Sequence, residues 1–184
     1  ILTNNTEVNN KAQLFRTSGI TREKKYFKNK NLGPWYYEQL VLGYNYKLTD
    51  IQAALGISQL KRLNSFVNER NEIAKIYNAE LSNLPLKLPH IIKENYSSFH
   101  LYVIRLENDK IKITHKEVHQ KLIEKKIGVN LHYFPVHLHP LYQTIGFKNG
   151  MFPEAEQYAR EAISIPIFPG LSNVDQEYIV ESIR

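Results

Sequence analysis

Asn45 and Lys47 stand in the run Leu42-Gly-Tyr-Asn-Tyr-Lys-Leu-Thr-Asp-Ile-Gln-Ala-Ala-Leu-Gly-Ile-Ser-Gln-Leu60, directly ahead of an expected helix start. A loop bearing an amide and an ammonium before a helix N-terminus is a place to hold an anion, because free backbone N–H groups gather there. Thr49 supplies a cap oxygen. Asp50 and Gln52 fall in the first turn, where negative charge suits the helix dipole. The same residues also read as an ordinary loop followed by a capped helix, and local physics leaves both readings open.

A second set is His132, His137 and His139, in Leu131-His-Tyr-Phe-Pro-Val-His-Leu-His-Pro140. Imidazoles this close could ligate a metal. No carboxylate or Cys lies nearby, and the two prolines prevent a regular helical i, i+4 face. No metal site is assigned. The run reads either as a proline-stiffened loop after a strand, with His as polar surface, or as a loop that touches a ligand.

The chain of 184 residues allows one sizeable domain, or a small domain with an appendage. Its 42% hydrophobic and 23% charged residues fit a soluble protein. The absence of Cys excludes disulfides and thiolate metal sites and fits a cytoplasmic setting. No apolar run approaches the ~20 residues of a membrane span, and no secretory signal pattern is present. The net charge is +6, much of it in residues 16–30, where Arg16, Arg22, Lys24, Lys25, Lys28 and Lys30 face only Glu23. Phosphate-bearing ligands suit that balance. Nucleic acid is not expected as a partner, since no recognition motif accompanies the charge.

Several elements must position these residues. A helix is expected over 5–17, with Val8, Ala12, Leu14 and Phe15 as its apolar set and Gly19 ending it. Residues 18–47 show no clean period, and so long a loop is usually functional or mobile. One long helix, straight or kinked, is expected over 49–83, with Ile51, Leu55, Leu60, Leu63, Val67, Ile73, Tyr77 and Leu81 as its stripe and Gly56 as its soft point. It would span roughly 50 Å and link domains. Leu84-Pro85 and Leu88-Pro89 stop it.

A strand is expected over 98–106. A helix from Thr114 to Lys126 follows, ended by Gly128, and then a strand over 129–133, which together make a βαβ-like unit. A helix over 152–164, a short strand over 163–167 and a last helix capped by Ser172 or Asn173 close the chain. Ile1-Leu-Thr-Asn reads as the end of a strand, and the only Met is Met151, so an upstream part is expected.

The run from Leu42 resembles the sugar-nucleotide aminotransferases of the DegT/DnrJ/EryC1/StrS family, in which Gly-x-Asn-Tyr-Arg precedes a hydroxyl or acidic helix start and Gln-Ala-Ala. Gly33-Pro-Trp-Tyr-Tyr-Glu38 is most similar to the branch serving the pseudaminic acid pathway. Other stretches resemble the family in the same order: Arg16-Thr-Ser-Gly-Ile-Thr-Arg22, His100-Leu-Tyr-Val-Ile-Arg105, His132-Tyr-Phe-Pro-Val-His137, Phe152-Pro-Glu-Ala-Glu156 and Ser164-Ile-Pro-Ile-Phe-Pro169. The resemblance covers nearly the whole chain.

It implies an α/β fold, the C-terminal part of a pyridoxal-phosphate fold type I (aspartate-aminotransferase-like) protein. Residues 1–48 would end the large domain and carry an active-site loop, 49–83 would be the linking helix, and 84–184 the small α/β domain. It further implies pyridoxal 5′-phosphate as cofactor, a UDP- or dTDP-linked 4-keto-deoxysugar as substrate, glutamate as amino donor, and a homodimer with shared active sites. Asn45 would reach the partner subunit's cofactor phosphate, Lys47 would stand near a charged group of the substrate, and His132, Tyr133 and His137 would line the sugar side.

Two departures matter. Lys47 stands where the family carries Arg, and it offers a point charge without the planar fork. No lysine here sits in the family's Schiff-base context, which lies upstream of the point where this chain begins. The chain alone is therefore expected to be inactive. The competing expectation is a non-enzymatic α/β module that binds an anionic partner through the basic 16–30 stretch.

Overall fold

Thr49, Thr114 and Ser172 each cap the helix that follows them. The Thr49 hydroxyl accepts from the Gln52 N–H, that of Thr114 from the Glu117 N–H and that of Ser172 from the Asp175 N–H. In the first two, the Gln52 or Glu117 side chain returns to the cap's own N–H, completing a capping box. Asn5 caps the first helix in the same manner. The computed structural model describes residues 1–29 and 33–184 and separates into two units, Ile1–Lys61 and Arg62–Arg184.

The first unit runs α1 (Thr6–Arg16), β1 (Ile20–Thr21), a 3-10 turn (Lys24–Tyr26), β2 (Glu38–Gln39) and α2 (Asp50–Leu60). Strands β1 and β2 pair antiparallel, Ile20 opposite Gln39 and Thr21 opposite Glu38. Ile1 and Leu2 are fully exposed and belong to no strand, contrary to the expected strand end. Neither helix buries a residue, and Ile51, Leu55, Ile57 and Leu60 are exposed.

The second unit runs α3 (Leu63–Leu81), β3 (Leu86–Lys87), β4 (Tyr102–Leu106), α4 (His115–Glu124), a 3-10 turn (Val136–Leu138), α5 (Pro140–Thr144), α6 (Pro153–Glu161), β5 (Ala162–Ile165) and α7 (Asn173–Ile183). Its sheet is antiparallel in the order β3-β4-β5, with Tyr102 opposite Ile165 and Ile104 opposite Ile163. Strand β4 alternates buried and half-buried residues, as a strand with one face on a core must. Tyr77, Leu81, Tyr102, Ile104, Leu122 and Ile163 are fully enclosed. The buried phenols find partners: Tyr77 Oη donates to the Pro166 carbonyl at 2.8 Å, and Tyr102 Oη to Asn78 Oδ1 at 2.6 Å. Burial pushes both phenols far above the usual tyrosine range.

Three expectations are corrected. The single helix over 49–83 is interrupted, because Arg62 leaves helical geometry at φ −100°, ψ 1°. The two pieces also differ in what they bury: α2 buries nothing, whereas α3 places Ile73, Ala74, Tyr77 and Leu81 in the second unit's core. The helix expected to run to Lys126, with Gly128 ending it, stops at Glu124. Lys126 takes the left-handed conformation (φ 61°), and the Ile127 N–H bonds back to the Leu122 carbonyl at 2.9 Å, a Schellman closure. The strand expected over 129–133 reduces to one antiparallel bridge, Asn130 with Ser164. Because β5 is antiparallel to both, β4 and the Asn130 segment run in the same direction with β5 between them. The crossover through α4 is thus present but split by a strand from later in the chain.

Candidate functional site

The loop carrying Asn45 and Lys47 is tied to the end of α1 by backbone bonds. Helix α1 stops where Ser18 (φ 60°) and Gly19 (φ 71°) turn left-handed, with the Gly19 N–H bonded to the Leu14 carbonyl at 2.7 Å. That end leaves carbonyls without helical partners, and the loop supplies them. The Tyr44 N–H donates to Phe15 O at 2.6 Å, the Tyr46 N–H to Arg16 O at 2.9 Å, and the Ser18 N–H to Tyr44 O at 2.7 Å. Asn45 therefore sits opposite Thr17 in a short antiparallel pairing.

The rings of Tyr44 and Tyr46 stack at 5.0 Å, nearly parallel, and alternation along the extended segment turns Asn45 to the other side. Asn45 and Lys47 are exposed, and among the described residues neither side chain has a hydrogen-bond or ion-pair partner. Two unspent donors on a backbone-clamped loop can take an anion such as a phosphate.

The basic stretch is anchored by an acid. Glu38 is buried, and its carboxylate accepts from the N–H groups of Asn29 (2.8 Å) and Lys28 (2.9 Å) and from Tyr36 Oη (3.1 Å). Those backbone donors hold its pKa below the usual carboxylate range. Lys25 pairs with Glu23 at 2.7 Å in an exposed contact. Lys30, the last cation expected in this stretch, lies outside the described residues.

In the second unit, the histidines part company. His132 is half-buried, and its Nδ1 lies 2.8 Å from Ser164 Oγ. Its ring meets Tyr133 edge-on at 4.7 Å, and Tyr133 itself is 72% exposed. His137 is buried. Its Nε2 lies 2.9 Å from Oε1 of buried Glu156, and its ring packs edge-on against Phe152 at 4.8 Å. The same Glu156 oxygen accepts from the Gly150 N–H at 2.7 Å. The hydrogen bond from His137 is the main cause holding the Glu156 pKa low. His139 is exposed against Phe134. No three His, Cys, Asp or Glu side chains gather as a metal set among the described residues.

His132 borders an open groove of about 690 Å³, to which Lys126, Asn130, Ser164 and Phe168 also contribute. The structure thus brings His132 and Tyr133 to an accessible surface and turns His137 inward as a fastener of the loop. Sequence reading missed the roles of Glu156, Ser164 and Glu38. Each lies inside a run compared with the family, but only three-dimensional pairing shows what the side chain holds.

A family model described as the DegT/DnrJ/EryC1/StrS aminotransferase family matches residues 1–184. Over its whole length the chain is 39% identical to the uncharacterized protein MJ1066 of Methanocaldococcus jannaschii and 33% identical to the spore coat polysaccharide biosynthesis protein SpsC of Bacillus subtilis, covering 48% of each. It is 30% identical to the UDP-4-amino-4,6-dideoxy-N-acetyl-beta-L-altrosamine transaminase of Helicobacter pylori, covering 46% of it.

Among solved structures, Helicobacter pylori PseC, an aminotransferase of pseudaminic acid biosynthesis, aligns with TM-score 0.86 at 27% identity, over 98% of this chain and 46% of that one. The PLP form of Spr1654 from Streptococcus pneumoniae, described as a sugar aminotransferase, aligns with TM-score 0.84 at 26% identity, over 98% and 43%. The chain spans about half the length of the curated relatives it matches.

Proposed function

Because the chain belongs to the DegT/DnrJ/EryC1/StrS aminotransferase family, we propose that it is the C-terminal half of a longer aminotransferase. That enzyme takes its amino group from glutamate and delivers it to the 4-keto carbon of a UDP- or dTDP-linked deoxysugar, of the 4-amino-4,6-dideoxy-N-acetyl-altrosamine type. The cofactor is pyridoxal 5′-phosphate, the working form is a homodimer with shared sites, and the compartment is the cytoplasm. The half chain alone is inactive. The observation that carries this reading is the family match across all 184 residues, joined to the unspent donors of Asn45 and Lys47. The Helicobacter pylori relatives support the sugar and its pathway.

The residues present fit a phosphate-bearing cofactor in part. Asn45 offers amide N–H donors on a loop whose backbone is already bonded, so little ordering cost remains when an anion arrives. It would hold the phosphate in the partner subunit's site. Lys47 would meet the charged group of the substrate as a point charge. When bound, pyridoxal phosphate supplies the electron sink for amino transfer.

The chain's own residues bind and orient. His132 would face the sugar with the ring nitrogen not turned to Ser164. Tyr133 would offer an exposed aromatic face and hydroxyl beside it. His137, enclosed by Glu156 and Phe152, would act by holding the 132–139 loop in place.

The test is an amino-transfer assay of the longer protein with glutamate and a panel of UDP-, dTDP- and GDP-linked 4-keto-6-deoxyhexoses, read by mass spectrometry. Gain of an amine on a UDP- or dTDP-linked sugar is the expected result. Transfer to none of them, by protein that retains the cofactor, would overturn the reading.

A further inference from the structure

Among the described residues the hydroxyl of Ser164 has one polar side-chain partner, and it is the candidate sugar-side histidine. We propose that Ser164 is a positioning residue that fixes both the ring orientation and the tautomer of His132, so that His132 Nε2–H faces the groove as a hydrogen-bond donor to an oxygen of the sugar nucleotide. The inference rests on the proposed placement of His132 at the sugar.

Asn130 and Ser164 exchange both of their backbone hydrogen bonds, Ser164 N to Asn130 O at 2.8 Å and Asn130 N to Ser164 O at 3.2 Å. That closed pair locks the register of the 130–132 segment against β5. Ser164, directly opposite Asn130, sends its Oγ to within 2.8 Å of His132 Nδ1. The ring edge is held a second time by Tyr133, at 4.7 Å and 88°. With Nδ1 engaged, Nε2 is the nitrogen left for a ligand, and His132 lines the groove beside Lys126 and Asn130.

The tautomer follows from the hydroxyl's own needs. Ser164 is only 5% exposed, and its Oγ makes no other hydrogen bond among the described residues. If His132 Nδ1 carried the proton and donated to Oγ, the serine hydrogen would be left buried without an acceptor, which is costly. If Ser164 donates to an unprotonated Nδ1, the hydrogen is satisfied and the proton of the neutral imidazole sits on Nε2. A donor at Nε2 selects acceptor oxygens, such as a keto, hydroxyl or phosphate oxygen.

The experiment uses the longer protein with ring-15N histidine, His132 being identified by loss of its signals in His132→Gln. Ring signals showing a bare Nδ1 and a protonated Nε2 are expected in the wild type. Ser164→Ala should shift them toward a mixed tautomer, and Ser164→Thr should restore them. If Ser164→Ala fails to fold, the near-isosteric Ser164→Cys takes its place.

In parallel, Ser164→Ala should raise KM for the nucleotide keto-sugar by about 2- to 12-fold with kcat little changed, as the loss of one hydrogen bond in the ground and transition states would. A wild-type His132 protonated on Nδ1, or His132 ring signals unmoved in Ser164→Ala, would overturn the positioning role. An unchanged KM in His132→Gln would instead overturn the placement of His132 at the sugar, whatever the ring signals show.

Discussion

A Cβ placed on Gly43 would lie 2.3 Å from the backbone nitrogen of Gly19, so the two glycines mark a crossing where neither segment has room for a side chain. One placed on Gly19 would lie 1.7 Å from the Val41 carbonyl oxygen. The crossing sits immediately before the Tyr44 and Tyr46 bonds to the α1 carbonyls, and so governs where Asn45 stands. Gly43→Ala should force the backbones apart, with an overpacking cost of about 1–3 kcal/mol. Hydrogen exchange read by mass spectrometry should show faster exchange at the Tyr44 and Tyr46 amides. Unchanged exchange there would detach the crossing from the placement of Asn45.

Asn45→Ala in the longer protein should weaken cofactor retention without unfolding. The side chain is exposed, so its loss opens no buried cavity. Loss of a charge-assisted hydrogen bond to phosphate should cost about 1.5–3 kcal/mol, or roughly 10- to 150-fold in affinity. Dialysis against rising phosphate, with cofactor followed by absorbance, measures it. Equal retention by variant and wild type would remove Asn45 from the phosphate site.

Acid should loosen the loop fastened by His137 and Glu156. The Glu156 carboxyl is held below its ordinary value of 4.5, first by the His137 hydrogen bond and then by the Gly150 and Phe152 N–H groups, against an opposing push from burial. A folded-state pKa below the unfolded one means that the stabilisation is fully present above 4.5 and fades as pH falls through the lower folded value. Glu38 and Glu161 are depressed as well, so the informative quantity is the difference between wild type and Glu156→Gln. That difference in melting temperature should be largest at neutral pH and shrink below pH 4.5. A difference constant from pH 7 to 3 would show that the carboxylate charge is irrelevant to the fastening.

Much of this architecture was legible in local sequence. Thr49, Thr114 and Ser172 announce their helices because a cap is a contact between residues three apart, and β4 announces itself by its β-branched and aromatic residues. What stayed hidden depends on distant partners. Nothing in Leu60-Lys61-Arg62-Leu63 is a helix breaker, yet the helix is interrupted there. Gly128 draws the eye as a helix end, but the left-handed residue is Lys126, whose N–H bonds to the Ile123 carbonyl while that of Ile127 bonds to Leu122 O. For the candidate site, motif comparison found Asn45, Lys47 and the histidine run. That His137 would turn inward to Glu156 and His132 outward from Ser164 is fixed by pairings 19 and 32 residues apart, and local spacing does not encode them.

The second unit's core should respond as one body. Tyr77 is fully enclosed against Tyr102 at 5.0 Å and donates to the Pro166 carbonyl just past β5. Tyr77→Phe keeps the packing and loses that bond, at about 0.5–1.5 kcal/mol. Ile104→Ala empties space at the centre of the sheet and should cost about 2–5 kcal/mol. Denaturant midpoints should rank wild type, Tyr77→Phe and Ile104→Ala in that order. A Tyr77→Phe loss as large as that of Ile104→Ala would mean that the hydroxyl, more than the packing, ties α3 to the sheet.

The proposed dimer can be tested by complementation. The 33–47 region carries Trp35 at 77% exposure, Tyr46 at 72%, Tyr44 at 59% and Tyr37 at 50%. So much aromatic surface is costly in water, and Trp and Tyr favour interfaces. If Asn45 and Lys47 serve the partner subunit's site, two inactive forms of the longer protein should rescue each other. One lacks the Schiff-base lysine proposed upstream, and the other carries Asn45→Ala with Lys47→Ala. A mixed dimer then holds one site with an intact lysine and intact Asn45 and Lys47, and one site lacking both. Mixing after denaturation and refolding should restore up to half of the wild-type activity per mixed dimer, about a quarter of the total when exchange is random. Verified subunit exchange without recovery would show that each site is built from a single chain, and Asn45 would then have to serve its own subunit.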